Sequence, residues 1–273
     1  GGSIEDGYIG IDFAKATGGA NVDDGTATNV TIDGLSLSLL SAKGMYFEAL
    51  ASSDILNITM NHVGYFGTGP AGGPAQAGAG IEFNLKNGTY GDITVDGFVF
   101  TDVGSASHPN SAAISAKTRD DNPGYQPVSW TGAPLEVKNG TIDGTSTGIR
   151  LGEDGQANAG PDLTATNVTI SNAVHSADHG DVDNQSTARL VIHGSNGADT
   201  LEYTASGASD GAITFEGGAG DDTIIGSSAI DIAAYAGPAA EYSVRFEAGH
   251  WTVRDNNTDG LDEGTDTLGG IDK

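Results

Sequence analysis

Apolar and polar residues alternate in short runs along most of the chain, and the runs recur. One set is Ile9-Gly-Ile-Asp-Phe13, Met45-Tyr-Phe-Glu-Ala49, Ile81-Glu-Phe-Asn-Leu85, Ala113-Ile-Ser-Ala-Lys117 and Ile149-Arg-Leu-Gly152. Alternation with period two is the pattern of a half-buried strand. A second set is Asn29-Val-Thr-Ile-Asp-Gly34, Asn57-Ile-Thr-Met-Asn61, Asp92-Ile-Thr-Val-Asp-Gly97, Gly140-Thr-Ile-Asp-Gly144 and Asn167-Val-Thr-Ile-Ser-Asn172, less evenly spaced. Two strand families advancing together predict stacked coils that share one core. No amphipathic helix pattern competes with them. The expected fold is all-β: a right-handed parallel β-helix of about five coils over residues 1–190. A Greek-key sandwich is the alternative, but it gives no internal period.

In this register Ile9, Ile11, Met45, Phe47, Ile81, Phe83, Ile149 and Leu151 point inward, and the residues between them face solvent. Asn or Asp beside each strand suits a turn, where a short polar side chain bonds local backbone. The longest insertions are 67–79, 105–111 and 118–134. They are expected to leave the coils in similar places and crowd one side face. Residues 171–193, with His175, His179, Asp181 and Asp183, read as a polar turn.

The pattern changes near residue 191. Gly217-Gly-Ala-Gly-Asp-Asp222-Thr-Ile-Ile225 fits the nonapeptide G-G-x-G-x-D-x-U-x at every fixed position. Gly194 to Leu201 repeats it with one Gly changed to Ser, and Gly226 to Ala234 repeats it loosely. Glycines allow tight turns that aim carbonyl oxygens inward, and the Asp adds a carboxylate. Oxygen donors suit a hard cation, so Ca2+ is expected here. The expected ligand set is Gly194, Asn196, Asp199, Gly217, Ala219, Asp222 and Asp231. These repeats, 191–236, are expected to continue the parallel stacking as a calcium-binding β-roll.

Residues 237–273 close the chain with a β-hairpin, Tyr242–Phe246 and His250–Arg254, and an acidic loop. Asp255, Asn257, Asp259 and Asp266 in that loop have the spacing of an EF-type calcium loop, with Asp in place of the usual bidentate Glu.

Composition narrows the function classes. The 273 residues carry 11 Lys and Arg against 37 Asp and Glu, a formal charge of −26. Such a surface repels nucleic acid and anionic membranes, and it suits uptake of divalent cations. There are 43 glycines and no cysteine, so many turns are expected and neither disulfides nor thiolate metal sites. No apolar run is long enough to span a membrane as a helix.

Gly217–Ile225 and its neighbours resemble the RTX repeats of proteins exported by bacterial type I secretion. Tyr235-Ala-Gly-Pro238, Tyr242-Ser-Val244, Gly264-Thr-Asp-Thr-Leu268 and Gly270-Ile-Asp-Lys273 resemble the segment that commonly follows such repeats. The resemblance covers about the last 80 residues. It implies calcium between successive turns, folding driven by calcium, and an extracellular or cell-surface location. It also implies a longer protein, since such segments usually run on past the equivalent of Lys273. The β-helix region is similar to pectate-lyase-like helices, and its order with the repeats resembles secreted alginate epimerases. Their catalytic motif, Tyr-Gly-Phe-Asp-Pro-His-Glu, is replaced here by Gly44-Met-Tyr-Phe-Glu-Ala-Leu50, so no catalytic residue carries over.

Three functions remain open. The first is a calcium-dependent structural or adhesive protein, with self-assembly through stacked β-helix ends as one route. The second is a uronate lyase or C5-epimerase acting on acidic polysaccharide, with Lys117, Arg119, Asp120, Tyr125 and His108 as candidate catalytic groups. Such chemistry needs a base near C5, a proton donor and a cation to neutralise the carboxylate. The third is a glycan-binding module using Tyr65, Tyr125 and Trp130 as stacking surfaces, with a cell-surface glycan as the partner.

Overall fold

The computed structural model describes residues 1–14, 25–65, 77–108, 110–119, 128–153, 161–174, 180–204, 211–227, 230–257 and 262–273. The chain is an all-β parallel β-helix. Among the described residues the one helical element is a 3-10 turn, Ala239–Glu241.

The front sheet stacks 9–13, 43–47, Ala79–Leu85, Ala112–Thr118, Ile149–Gly152 and Val182–Gln185 in parallel. One inward row is Ile11, Met45, Ile81, Ile114, Ile149 and Val182. The next is Phe13, Phe47, Phe83, Ala116, Leu151 and Asn184. From Met45 to Val182 and from Phe47 to Leu151 these rows are fully buried. The Phe13–Phe47 and Phe47–Phe83 ring centroids are each 5.5 Å apart. The expected register shifts in two places. Ile11, not Ile9, lies beside Met45, and Ile114, not Ala113, lies beside Ile81. In each case another apolar residue takes the place that the coil spacing gave: Ile11 for Ile9, which lies beside Lys43 instead, and Ile114 for the smaller Ala113.

The expected solvent exposure between those positions is wrong for the front sheet. Every residue of Ala79–Leu85, Ala112–Thr118, Ile149–Gly152 and Val182–Gln185 is buried, so both faces are covered. The segment read as a polar turn also contains a strand, Val182–Gln185. Its polar sequence hid it, because Asp183 and Gln185 belong to the covered outer face.

The second set of runs turns out to be two faces rather than one. Ser53–Val63, Ile93–Val103, Leu135–Thr145 and Leu163–Ser171 pair in parallel, and each bends in the middle. The bend residues Asn57, Gly97, Asn139 and Asn167, with Gly34 in the first coil, align in one column. All five have φ between 52° and 70°. Asn and Gly tolerate this left-handed conformation, so one residue per coil turns the corner. The amides also bond along the column: Asn57 Nδ2 donates to Asp33 at 2.8 Å and Asn167 Nδ2 to Asn139 at 2.9 Å. Runs 29–34 and 92–97 lie before this bend, and 57–61, 140–144 and 167–172 after it. That explains their uneven spacing. Burial alternates on these long strands: in Ser53–Val63, Ser53, Ile55, Ile58, Met60 and Val63 are buried, whereas Asp54, Asn57, Thr59 and Asn61 are exposed. Their outer faces therefore meet solvent.

The three long insertions do not leave from one place. Residues 67–79 and 105–111 precede front strands, whereas 118–134 follows one.

The long-strand sheet continues without a break into the C-terminal part. Leu163–Ser171 pairs with Leu190–His193, which pairs with Ile213–Glu216, which pairs with Asp231–Ala233. A facing sheet contains Thr200–Glu202, Thr223–Ile225 and Thr265–Gly269 in parallel, then His250–Asp255 and Tyr242–Glu247 antiparallel. The hairpin is where the sequence put it, with Ala248 and Gly249 both at positive φ in its turn. The strand Thr265–Gly269, which docks the hairpin on the roll, lay inside the supposed acidic loop.

Candidate functional site

Two groups of residues stand out, one on the outer face of the front sheet and one along the turns of the roll. Tyr46, Glu82, Ser115, Arg150 and Asp183 form one outer front row. Lys117 Nζ lies 2.9 Å from Glu153 Oε2 and 3.3 Å from Glu82 Oε1. Lys43 also pairs with Glu82, and Lys86 with Glu48. Arg150 Nη2 is 3.0 Å from Asp183 Oδ2, and Gln185 Nε2 donates to Asp183 Oδ1 at 2.9 Å. Tyr46 links the rows, donating to Glu48 at 2.6 Å and accepting from Asn84 at 2.6 Å. Four cations thus meet four anions.

The electrostatics follow from this pairing. Burial alone would raise Glu82, yet Lys117 and Lys43 hold its carboxyl down at about 2. Burial would lower Lys117, but Glu82 and Glu153 outweigh it and push its ammonium up. Lys117 is therefore firmly protonated at neutral pH and is a cation here, not a base. His108 behaves in the opposite way. Burial, then the charge of Arg150, lowers its imidazole, and its Nδ1 accepts from Asn110 N at 3.2 Å. A neutral imidazole can accept a proton, which makes His108 the candidate base among the described groups of this face. Arg119 sits at the end of the front strand, its backbone bonded to Leu85. Asp120 and Tyr125 lie outside the described residues, as do His175 and His179. Of the aromatic candidates, Tyr65 stacks on His62 with centroids 4.1 Å apart, and Trp130 donates to Ala133 O at 2.7 Å.

In the roll, three segments share the pattern Gly-x-Asp-Thr followed by Leu or Ile: 197–201, 220–224 and 264–268. They stack in register, Thr200 beside Thr223 beside Thr267. Their carboxylates form a ladder. Asp199 N donates to Asp222 Oδ1 at 2.8 Å, and Asp222 N donates to Asp266 Oδ1 at 2.9 Å. Asp231 belongs to the opposite row of turns, where its N donates to Asp272 Oδ2 at 3.0 Å. The turns are built alike. The glycine five residues before each Asp has its missing Cβ against that carboxylate: 2.9 Å at Gly194, 2.2 Å at Gly217 and 2.8 Å at Gly226. Any side chain there would displace the acid.

The repeats differ in one consequential residue. Asp199 Oδ2 accepts from Ser195 N at 2.6 Å and Ser195 Oγ at 2.9 Å. Asp231 is bonded in the same way by Ser227 N and Oγ. Where the motif has its second glycine, Gly218 at φ 95°, no hydroxyl is available. Asp222 is 2% exposed, and its Oδ2 has no hydrogen-bond partner among the described residues. Asp266, 1% exposed, likewise has an Oδ2 with no partner in hydrogen-bond geometry among the described residues, although the Tyr235 hydroxyl acts on its carboxyl and holds it down in part. Burial raises both carboxyls, Asp266 to about 6, with the charge of Asp222 adding to the rise.

Asp266 therefore joins the ladder of the roll. In the supposed EF-type loop, Asp255 accepts from Asn257 N at 2.8 Å and Glu263 N at 3.1 Å, and Asn257 bonds Glu241. Asp259 lies outside the described residues. Among the described residues no three His, Asp or Glu side chains gather into a metal cluster. A cation held here would take most of its oxygens from the backbone of the turns, Gly194, Asn196, Gly217 and Ala219 included. Sequence reading noted Ser195 only as a departure from the motif, did not single out Ser227, and took Gly264–Leu268 as part of the segment after the repeats rather than as a third Gly-x-Asp-Thr unit.

No family model, curated protein or solved structure matches the chain.

Proposed function

We propose that the protein is a secreted β-helix whose C-terminal roll is organised by Ca2+, with a structural or adhesive role outside the cell. The observation that carries this reading is the pair Asp222 and Asp266. Each is sealed from solvent with one carboxylate oxygen unpartnered among the described residues. A buried ionised carboxylate with a free oxygen is costly unless a cation meets it. The RTX-like repeats, the acidity and the absence of cysteine support the same reading. The test is a calcium titration of the whole chain by circular dichroism and calorimetry, with Gly217→Ala beside the wild type. Calcium should stabilise the wild type, and Gly217→Ala should raise the calcium needed at least tenfold. Identical spectra and melting in chelator and in calcium would remove the proposal.

A second reading is favoured by one observation, the half-buried His108, whose imidazole is held neutral by burial and then by the charges of Arg150 and Lys117. In it His108 takes the C5 proton of an acidic polysaccharide, while Lys117 and Arg150, each already paired with a carboxylate, help keep the imidazole neutral. Incubation with uronate polymers, followed for unsaturated product and for C5 exchange from D2O, tests it. Activity lost in His108→Ala supports it, and no product or exchange from the wild type ends it.

A further inference from the structure

The strand Tyr242–Glu247 is the outermost of its five-stranded sheet. Five of its six residues are exposed and the sixth is half-buried. Val244 and Phe246 are each 58% exposed and Trp251 44%, with the Phe246 and Trp251 rings 4.9 Å apart. Among the described residues these are the only large exposed aromatics. An apolar edge strand without proline, bulge or inward charge is a template for pairing with another strand.

We infer that this edge pairs antiparallel with the same strand of a second copy, giving a two-fold dimer. The first argument is charge. The chain is strongly acidic, with 37 acids against 11 bases. Yet the outward face of this hairpin sets Ser243 beside Arg254, Arg245 beside Thr252 and Glu247 beside His250. Two arginines against one glutamate make it a place where two copies meet without acid facing acid. The second argument is self-complementarity. Pairing about a two-fold axis at Phe246 sets Arg245 opposite Glu247 of the second copy, and Glu247 opposite its Arg245. The same axis brings both Phe246 rings together with the Trp251 rings beside them, a central aromatic cluster inside a charged rim. A two-fold contact requires such a patch to match itself. The overlap involves one hairpin tip from each copy, so the dimer is small and reversible rather than obligate. It is a sideways contact, distinct from stacking of the β-helix ends.

The experiment is sedimentation velocity of the full chain in calcium, from low to high micromolar concentration at low salt. The wild type should shift from monomer to dimer as concentration rises. Phe246→Ser and Arg245→Glu should each weaken the dimer at least tenfold with an unchanged circular dichroism spectrum. The double variant Arg245→Glu with Glu247→Arg should recover it, because the charges are exchanged and not lost. A wild type that stays monomeric throughout overturns the inference. So does a dimer that neither single variant weakens, or one that the charge exchange fails to restore.

Discussion

Asp266→Asn separates the cost of a buried charge from the cost of a changed shape. The Asp266 carboxyl is raised to about 6, mainly by burial and further by Asp222 and Glu263. An unfolded Asp titrates near about 4, so the shift amounts to about 3 kcal/mol, and roughly 1–2 kcal/mol once solvent screening is allowed for. The folded pKa lies above the unfolded one. The stabilisation is therefore fully present below pH ~4 and is lost as pH rises through about 6. In chelator, the roll should melt higher at pH 4 than at pH 7. Asparagine keeps an acceptor for the Asp222 N–H and carries no charge. In chelator at pH 7 the variant should thus be more stable than the wild type by roughly 1–2 kcal/mol, with the pH dependence between 4 and 6 reduced. In calcium the order should reverse, because only the ionised carboxylate attracts the metal. Thermal melts with hydrogen exchange at Thr223 and Thr267 would read this locally. A variant no more stable than the wild type in chelator, or one that keeps the full calcium response, would refute the reasoning.

Two further outcomes test the β-helix. Phe83→Ala opens the middle of the row Phe13–Phe47–Phe83–Ala116–Leu151, where Phe83 is fully buried, and should cost about 3–5 kcal/mol by denaturant titration. Arg150→Met removes the cation paired with Asp183, which is 0% exposed, and should cost about 3–5 kcal/mol, whereas adding Asp183→Asn should return much of that.

The fold was legible where side chains alternate cleanly. Met45, Phe47, Ile81 and Phe83 announce inward rows because each coil repeats the same two apolar positions. The outer front layer was not legible. A buried Lys117 or Arg150 looks like a solvated one in sequence, and its partners Glu82 and Asp183 come from neighbouring coils. The two-faced nature of the long strands was also hidden, since the bend needs one residue with positive φ and both Asn57 and Gly97 supply it. In the roll, Gly217 and Asp222 were found from their spacing. Asp266 was read with the acidic residues before it, which offered a tidier pattern than its own Gly-x-Asp-Thr; it lies in the strand Thr265–Gly269 and accepts from Asp222 N.

The uninterrupted pairing from Leu163–Ser171 through Leu190–His193 to Ile213–Glu216 and Asp231–Ala233 makes the molecule a one-dimensional array with nearest-neighbour coupling. In such an array disorder enters at the weak end and moves inward as a boundary, and each ordered rung lowers the cost of ordering the next. Heating without metal should then shorten the ordered stack progressively from the C-terminal side, and the position of that boundary, rather than one melting temperature, describes the state of the chain.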